Sequence, residues 1–336
     1  MQMMAKLVLG KHCGQSLTQL NNHQAQLLFL YVNLLVILIC VGIEILFAGK
    51  FRTVPPPVGV QGPRQLVMEC KGRRLGNLMF SYAALLGIAQ TNNMVPVFPD
   101  GLIIRDMFNL TMKVGYFDYN FGMYLDYREF GGRGGAYDRM TENLEAYDTN
   151  IRLLGHYQSW KYFEHVKDVA REHFRFKPDI LSNAKDYLHN LIPQKFSGNN
   201  FIRVGIHVRR GDMTVPYYTN YGYVTADARY IYQAVDYFQK RFSRVIFVVC
   251  SDDIQWCKEN INLENVVFSE SGDMVTDMAV LASCQHTIMT VGSFGWWSAW
   301  LANGTTIYYK DWPRPVSQLE YQVEKADYFP PHWIPM

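Results

Sequence analysis

The stretch "RVIFVVC", Arg244–Cys250, restricts the fold more than any other feature of this chain. A strand with one face in water alternates apolar and polar residues, but from Val245 onward this one does not alternate at all. Such a strand is covered on both faces, which is the situation of a parallel sheet with helices on either side. Its surroundings repeat the theme. "FIRVGIHV" (Phe201–Val208), "NVVF" (Asn265–Phe268), "HTIMTV" (His286–Val291) and "TTIYYK" (Thr305–Lys310) read as strands. Helical stretches fall between them at Asp227–Phe242, from about Ile254 to Asn260, at Met274–Ala282, and in the segment opened by "GSFGWWSAWLA". An earlier unit has the same form: "QLVMEC" (Gln65–Cys70) as strand, "GRRLGN" (Gly72–Asn77) as tight loop, Asn77–Gln90 as helix and "MVPVF" (Met94–Phe98) as strand. A helical stretch is expected from about Lys161 to Leu191, and the Tyr-, Gly- and Asp-rich segment Gly101–Asn150 yields no assignment. The expectation is an α/β chain of two halves, 66–200 and 201–336, joined near Asn199.

One segment lies outside that scheme. Leu27–Ala48 is almost continuously apolar and long enough to cross a bilayer, which takes about 20 residues. It is too long and starts too far from Met1 for a cleaved signal peptide, so it reads as an uncleaved signal-anchor at 27–48 behind a tail of residues 1–26. Residues 49–65, with the triplet Pro55–Pro57, read as a short extended stem. Lysines and arginines flank the segment on both sides, so charge alone does not orient it. Two sequons, at Asn109 and Asn303, favour a lumenal body. A net charge of +2 without a basic run excludes a nucleic-acid footprint, and 15% aromatic content argues against disorder. The body holds Cys70, Cys250, Cys257 and Cys284, whose three possible pairings stay open, and Cys250 and Cys284 fit buried thiols equally well.

Ligands of open parallel sheets bind at the carboxyl ends of the strands. Four polar clusters fall there: "HVRRGD" (His207–Asp212), "SDD" (Ser251–Asp253), "VGSFG" (Val291–Gly295) and "GRRLGN". Arg209 and Arg210 side by side repel unless an anion lies between them. Phosphate oxygens match guanidinium geometry, while bridging to acidic neighbours is the plainer alternative. Arg73 and Arg74 divide evenly between ligand contact and solvated surface. Gly292, Ser293 and Gly295 leave backbone amides at a helix start, a second anion device, compatible with a cap by Ser293. Trp296, Trp297 and Trp300 read as core. The chain has no Asp-x-Asp diad to hold a divalent ion on a nucleotide diphosphate, no GxxxxGK loop and no GxGxxG fingerprint. Adjacent Asp252 and Asp253 suit hydrogen bonds from a base. Arginine in the place of metal points to a diphosphate leaving group.

Taken together, "GIHVRRGD", "RVIFVVCSDDIQWCKENI" and "DMAVLASCQHTIMTVGSFGWWSAWL" resemble the C-terminal motifs of the galactoside 2-alpha-L-fucosyltransferases, glycosyltransferase family 11. "GRRLGNLMFSYAAL" and "LLGHYQSWKYF" (Leu153–Phe163) resemble that family's N-terminal and central motifs. The resemblance runs from about Leu66 to Trp333. It implies a GT-B-like fold of two Rossmann-type halves, an acceptor-side half at 66–200 and a donor half at 201–336, with type II Golgi topology. It also implies inverting transfer of fucose from GDP-L-fucose to the 2-hydroxyl of a terminal β-galactose, without metal or other cofactor. Carried over, Arg210 holds the donor diphosphate with Arg209 and His207 beside it. Asp252, with Asp253 next to it, reads guanine, Ser293, Phe294 and Gly295 meet phosphate, and Asn77 faces the reacting sugars with Gly76 and Arg74 in its loop. The chain departs from the family pattern with "GRRLGN" where "GRLGN" is usual and with Leu78 where glutamine is common. The general base is left among His207, Asp212 and Glu69, or proton loss to Asn77 or water. The competing readings are a fucosyltransferase of another linkage and an inactive membrane-anchored glycan- or nucleotide-binding protein.

Overall fold

The computed structural model describes residues 63–115, 124–196 and 201–336. The tail, the signal-anchor at 27–48 and all but the last residues of the stem lie outside these described residues. Among the described residues no helix is long and apolar enough to cross a membrane.

Two parallel sheets form the body. The first holds β1 (Gln65–Met68), β2 (Val95–Pro99), β3 (Lys113–Gly115), β4 (Leu125–Arg128) and β5 (Ile151–Leu154) in the order β3-β2-β1-β5-β4. The second holds β6 (Ile202–Val208), β7 (Val245–Ser251), β8 (Val266–Phe268), β9 (His286–Met289), β10 (Thr306–Tyr308) and β11 (Ile334–Pro335) in the order β11-β10-β9-β6-β7-β8. Every pairing in both is parallel. The second order is that of a doubly wound dinucleotide-type sheet, in which the chain starts at the centre, winds to one edge and returns to fill the other.

The apolar run at Arg244–Cys250 behaves as its composition demands. Val245, Phe247 and Val249 pack with α3 (Ala228–Gln239) on one face of the sheet. Ile246, Val248 and Cys250 pack on the other face with α5 (Met274–Ala282) and the buried side of α2 (Pro178–Leu191). Asp227 and Asp273 start α3 and α5 by accepting backbone amides, as N-caps do. Among the described residues all four cysteines are free and buried, Cys250 and Cys284 in one apolar cluster.

The first sheet is joined to the second through helix-on-helix packing. α1 (Leu75–Thr91) is buried almost all round, too apolar for a surface helix. It lies against α6 (Ser293–Ala302), with Phe80 4.6 Å from Trp296 and 5.1 Å from Trp297 between ring centroids. Phe163 stacks on Trp297 at 5.5 Å, and the Trp296 indole N–H donates to the Tyr328 carbonyl at 2.8 Å. The tryptophans are core residues, and one apolar cluster spans both sheets.

Two expectations change. The helix expected over Lys161–Leu191 is interrupted: single turns and a helix at Lys167–His173 precede an extended break before α2. Pro178 causes the break by forcing Lys177 to extended angles (φ −58°, ψ 148°). The unassigned middle contains β3, β4 and a 3₁₀ segment at Arg139–Ala146. β4 is an exposed edge strand, so its sequence lacks the apolar run that marks the others.

Replacing Phe80 with Ala removes a ring that touches both halves of the core. We expect a loss of about 3–5 kcal/mol in urea unfolding at unchanged slope; a loss below about 1 kcal/mol would contradict a shared core.

Candidate functional site

Each sheet has one point where the chain reverses its direction of winding. In the first, β2 and β5 flank β1, and in the second, β7 and β9 flank β6. Crevices at such points are where doubly wound sheets hold ligands. The loops that leave β1 and β5 are Glu69–Arg74 and Gly155–Gln158, and those that leave β6 and β9 are Arg209–Asp212 and Thr290–Gly292. The two crevices face each other.

Gly76 makes the closest approach. A Cβ there would lie 2.6 Å from the Ser293 carbonyl carbon and 2.8 Å from the Phe294 nitrogen. The N-terminal turns of α1 and α6 thus meet without an intervening side chain. Neither helix has a side-chain cap or an acidic residue in its first turn. Gly292 begins α6 at φ +91°, a conformation glycine adopts without a steric penalty. First-turn amides have no intrahelical partner, and both dipoles place partial positive charge at this seam. Such a seam favours an anion.

The arginine pair is arranged differently from the simplest expectation. Arg209 donates to Asp252 and to Asp212, each at 2.5 Å, and Arg74 crosses from the first sheet to Asp212 at 3.0 Å. Arg210 stacks its guanidinium 3.9 Å over the Trp256 ring and lies 3.4 Å from Asp253, whose carboxylate also caps α4 (Ile254–Asn260). The anions between the guanidiniums are therefore the protein's own carboxylates. Asp252 also accepts the Arg210 backbone N–H at 2.9 Å, so both of its oxygens are engaged rather than open to a base. Arg73 turns into the first half, donating to Ser81 Oγ at 2.6 Å and to the Gly155 carbonyl. The doubled arginine of "GRRLGN" thus divides its work: Arg73 braces a loop and Arg74 reaches the seam.

His207 sits beneath the start of α6, 5% exposed, its ring 5.2 Å from Phe294 and pressed so close to Gly295 that no Cβ fits there. Burial first, and Arg209 second, push its pKa down to about 3, so the ring is neutral and a poor base. Glu69 is exposed at the end of β1 and takes no part in the hydrogen-bonded seam. Asn109 and Asn303 are exposed, and Asn303 accepts from Arg171 at 2.8 Å.

Asn77 lies at the centre. Its Oδ1 accepts from Ser293 Oγ at 2.7 Å and from Gln158 Nε2 at 2.8 Å, joining residues of both sheets. Gln158 belongs to a loop clasped by Glu129, whose oxygens accept the His156 and Tyr157 amides at 2.8 and 2.9 Å. Burial raises the Glu129 pKa to about 7, against the pull of these amides and Arg73. Sequence reasoning missed Glu129, Gln158 and Trp256 as site residues. Gln158 and Trp256 fall inside stretches already singled out, whereas Glu129 follows the weak edge strand β4 and had no pattern to mark it.

Among the described residues no group of three or more His, Cys, Asp or Glu side chains is placed to hold a metal ion. An α/β body with opposed strand-end crevices, arginines at their edge and converging helix N-termini is of the class suited to anionic ligands. The chain belongs to glycosyl transferase family 11, whose model matches residues 65–336. It is 30% identical over 314 residues to galactoside 2-alpha-L-fucosyltransferase SEC1 of Bos taurus, covering 85% of this chain and 80% of that protein. It is 32% identical over 271 residues to galactoside alpha-(1,2)-fucosyltransferase 1 of Homo sapiens, covering 78% of this chain and 72% of the other. A solved structure of NodZ alpha-1,6-fucosyltransferase soaked with GDP-fucose superposes with a TM-score of 0.47 at 14% identity, over 71% of this chain and 93% of that one.

Glu129 gives the fold a measurable pH dependence. Its folded pKa is raised, so the folded state keeps a proton that the unfolded chain gives up, and stability is lost as pH rises from about 4.5 to about 7. Relative to Glu129→Gln, the wild type should lose about 3 kcal/mol across that window. Parallel stability–pH curves for the two proteins would contradict the assignment.

Proposed function

We propose that this chain transfers L-fucose from GDP-L-fucose to the 2-hydroxyl of a terminal β-galactose with inversion, in a GT-B-like catalytic body. The observation that carries the proposal is the meeting of "HVRRGD", "GSFG" and "GRRLGN" at one seam, in a member of a family whose relatives are named for that transfer.

The half built on β6–β11 holds the donor. Its diphosphate lies against the amides of Ser293, Phe294 and Gly295, where helix-terminal charge is uncompensated. Arg210 is the guanidinium best placed to take the phosphate charge. Both Arg209 Nη atoms are committed to carboxylates, whereas neither Arg210 Nη makes a hydrogen bond among the described residues, its buried Nε facing Asp253 instead. Trp256 fixes the plane of the Arg210 guanidinium without consuming its donors. At the guanine end of the donor, Asp252 reads the base only by exchanging its contacts to Arg209 and the Arg210 amide, with Asp253 beside it.

In the reaction the bond from the fucose anomeric carbon to the β-phosphate oxygen breaks, and the electron pair leaves with GDP. The galactose oxygen bonds to the opposite face of that carbon, through an oxocarbenium-like transition state. The hydroxyl proton passes to water in the cleft, because His207 is buried and neutral and Asp212 is held by two arginines. The proposed chemistry needs no metal, since guanidinium and amide groups supply the leaving-group stabilisation. We place the body in the Golgi lumen behind a type II anchor at 27–48, supported by the apolar segment and the exposed Asn109 and Asn303. Endoglycosidase-sensitive mobility lost in the Asn109→Gln/Asn303→Gln double variant tests the lumenal placement.

Arg210→Ala should lower kcat/KM for fucosyl transfer by about 10²–10³ while thermal unfolding stays cooperative. Near-normal turnover would reject the role. Linkage analysis of the wild-type product on β-galactoside acceptors tests the 2-hydroxyl assignment. In the same assay a chelator should leave the rate unchanged, and loss of rate restored by manganese would overturn the metal-independent scheme.

A further inference from the structure

Asn77 is held by a hydrogen-bond relay whose members come from three separate parts of the chain. Ser293 Oγ reaches it from the start of α6 and Gln158 Nε2 from the loop after β5, and both end on the same atom, Asn77 Oδ1. That oxygen has its two lone pairs filled. Asn77 Nδ2 has no protein partner among the described residues. The relay therefore leaves the side chain one free function at the seam, a pair of N–H donors.

The loop that carries Gln158 is held at each residue. The Gly155 carbonyl accepts from Arg73, the His156 and Tyr157 amides are bound by Glu129, and the Gln158 N–H donates to the Gly134 carbonyl at 2.7 Å. Tyr157 sits at φ +49°, uncommon for a non-glycine residue, and a Cβ at Gly155 would lie 2.5 Å from Glu129 Cβ. Strain of this kind persists where surrounding contacts over-determine a conformation, and it gathers at functional sites. The loop presents Gln158 to Asn77 in one orientation.

We infer that Gln158 is a positioning residue: by donating to Asn77 Oδ1 it fixes the amide so that Nδ2 donates to the β-phosphate oxygen that leaves fucose. The role rests on the function proposed above. That oxygen gains charge as the anomeric bond breaks, so a donor fixed in advance acts more on the transition state than on the bound donor. A carboxamide turned the other way would aim its carbonyl oxygen at the departing anion. Ser293 would not prevent that reversal, because a hydroxyl can accept as well as donate. Gln158 opposes the reversal by keeping its own Nε2 toward Asn77, since both carboxamides would have to turn together.

Gln158→Glu tests this, since it keeps the size of the side chain and replaces its donor with acceptors at neutral pH. Asn77 must then turn Nδ2 toward the carboxylate. The expected result is a kcat lowered about 10- to 100-fold with KM for GDP-fucose within about twofold of wild type. Gln158→Ala, which removes the donor without imposing the reverse polarity, should lose less. Far-UV circular dichroism and GDP affinity, measured alongside, should match wild type for both variants. If Gln158→Glu matches wild type, or if Gln158→Ala is the worse of the two, Gln158 is space-filling and the inference is overturned. A wild type that transfers no fucose to any β-galactoside sinks the function reading and this role together, whereas active wild type with an unaffected Gln158→Glu sinks only the role.

Discussion

The absence of a side chain at Gly76 lets the first turns of two helices touch, and the rest of the site follows from that contact. Two positive helix ends brought together repel, and neither carries an acidic cap to offset the other. The contact is held instead by the apolar packing behind it, where Phe80 lies among Trp296, Trp297 and Phe163. Burial of several large rings contributes more than the end-to-end repulsion removes, since each is worth about 1.5–3 kcal/mol against roughly 0.3–1 for a dipole interaction. The fold leaves an unbalanced positive field at the seam, which favours an anion.

The charges around the seam follow a different rule. Arg74, Arg209 and Arg210 face Asp212, Asp252 and Asp253, so guanidiniums and carboxylates cancel in number. A diphosphate does not enter a bare cationic pocket. Under the proposed function it would compete with carboxylates that already hold the arginines in place, with the helix amides favouring the exchange. Ion pairs of this kind add little stability where they are exposed, as Arg74–Asp212 is, but they keep long side chains in a single geometry.

Much of this was legible in the sequence, and the reasons are local. Val245–Cys250 declared a doubly covered strand because every residue on either face had to be apolar, and that alone implied a parallel sheet. Clusters at strand ends could be placed in one crevice because the carboxyl edge of such a sheet is a single line. What could not be read was direction. "HVRRGD" does not say that Arg209 turns toward Asp212 and Asp252 while Arg210 turns to Trp256, since that depends on α4, which packs against β7 and carries Trp256. The burial of His207 was equally hidden, because it comes from α6 closing over the strand end. Glu129 escaped because β4 is an exposed edge, where apolar pattern is not required.

The aromatic weld between α1 and α6 also bears on how substrates arrive. Trp296 and Trp297 are fully buried among residues from both sheets, so prising the halves apart would expose rings that water solvates poorly. A large clamshell motion is therefore ruled out as a cheap route of entry. Ligands would then reach the seam with the two halves still packed together.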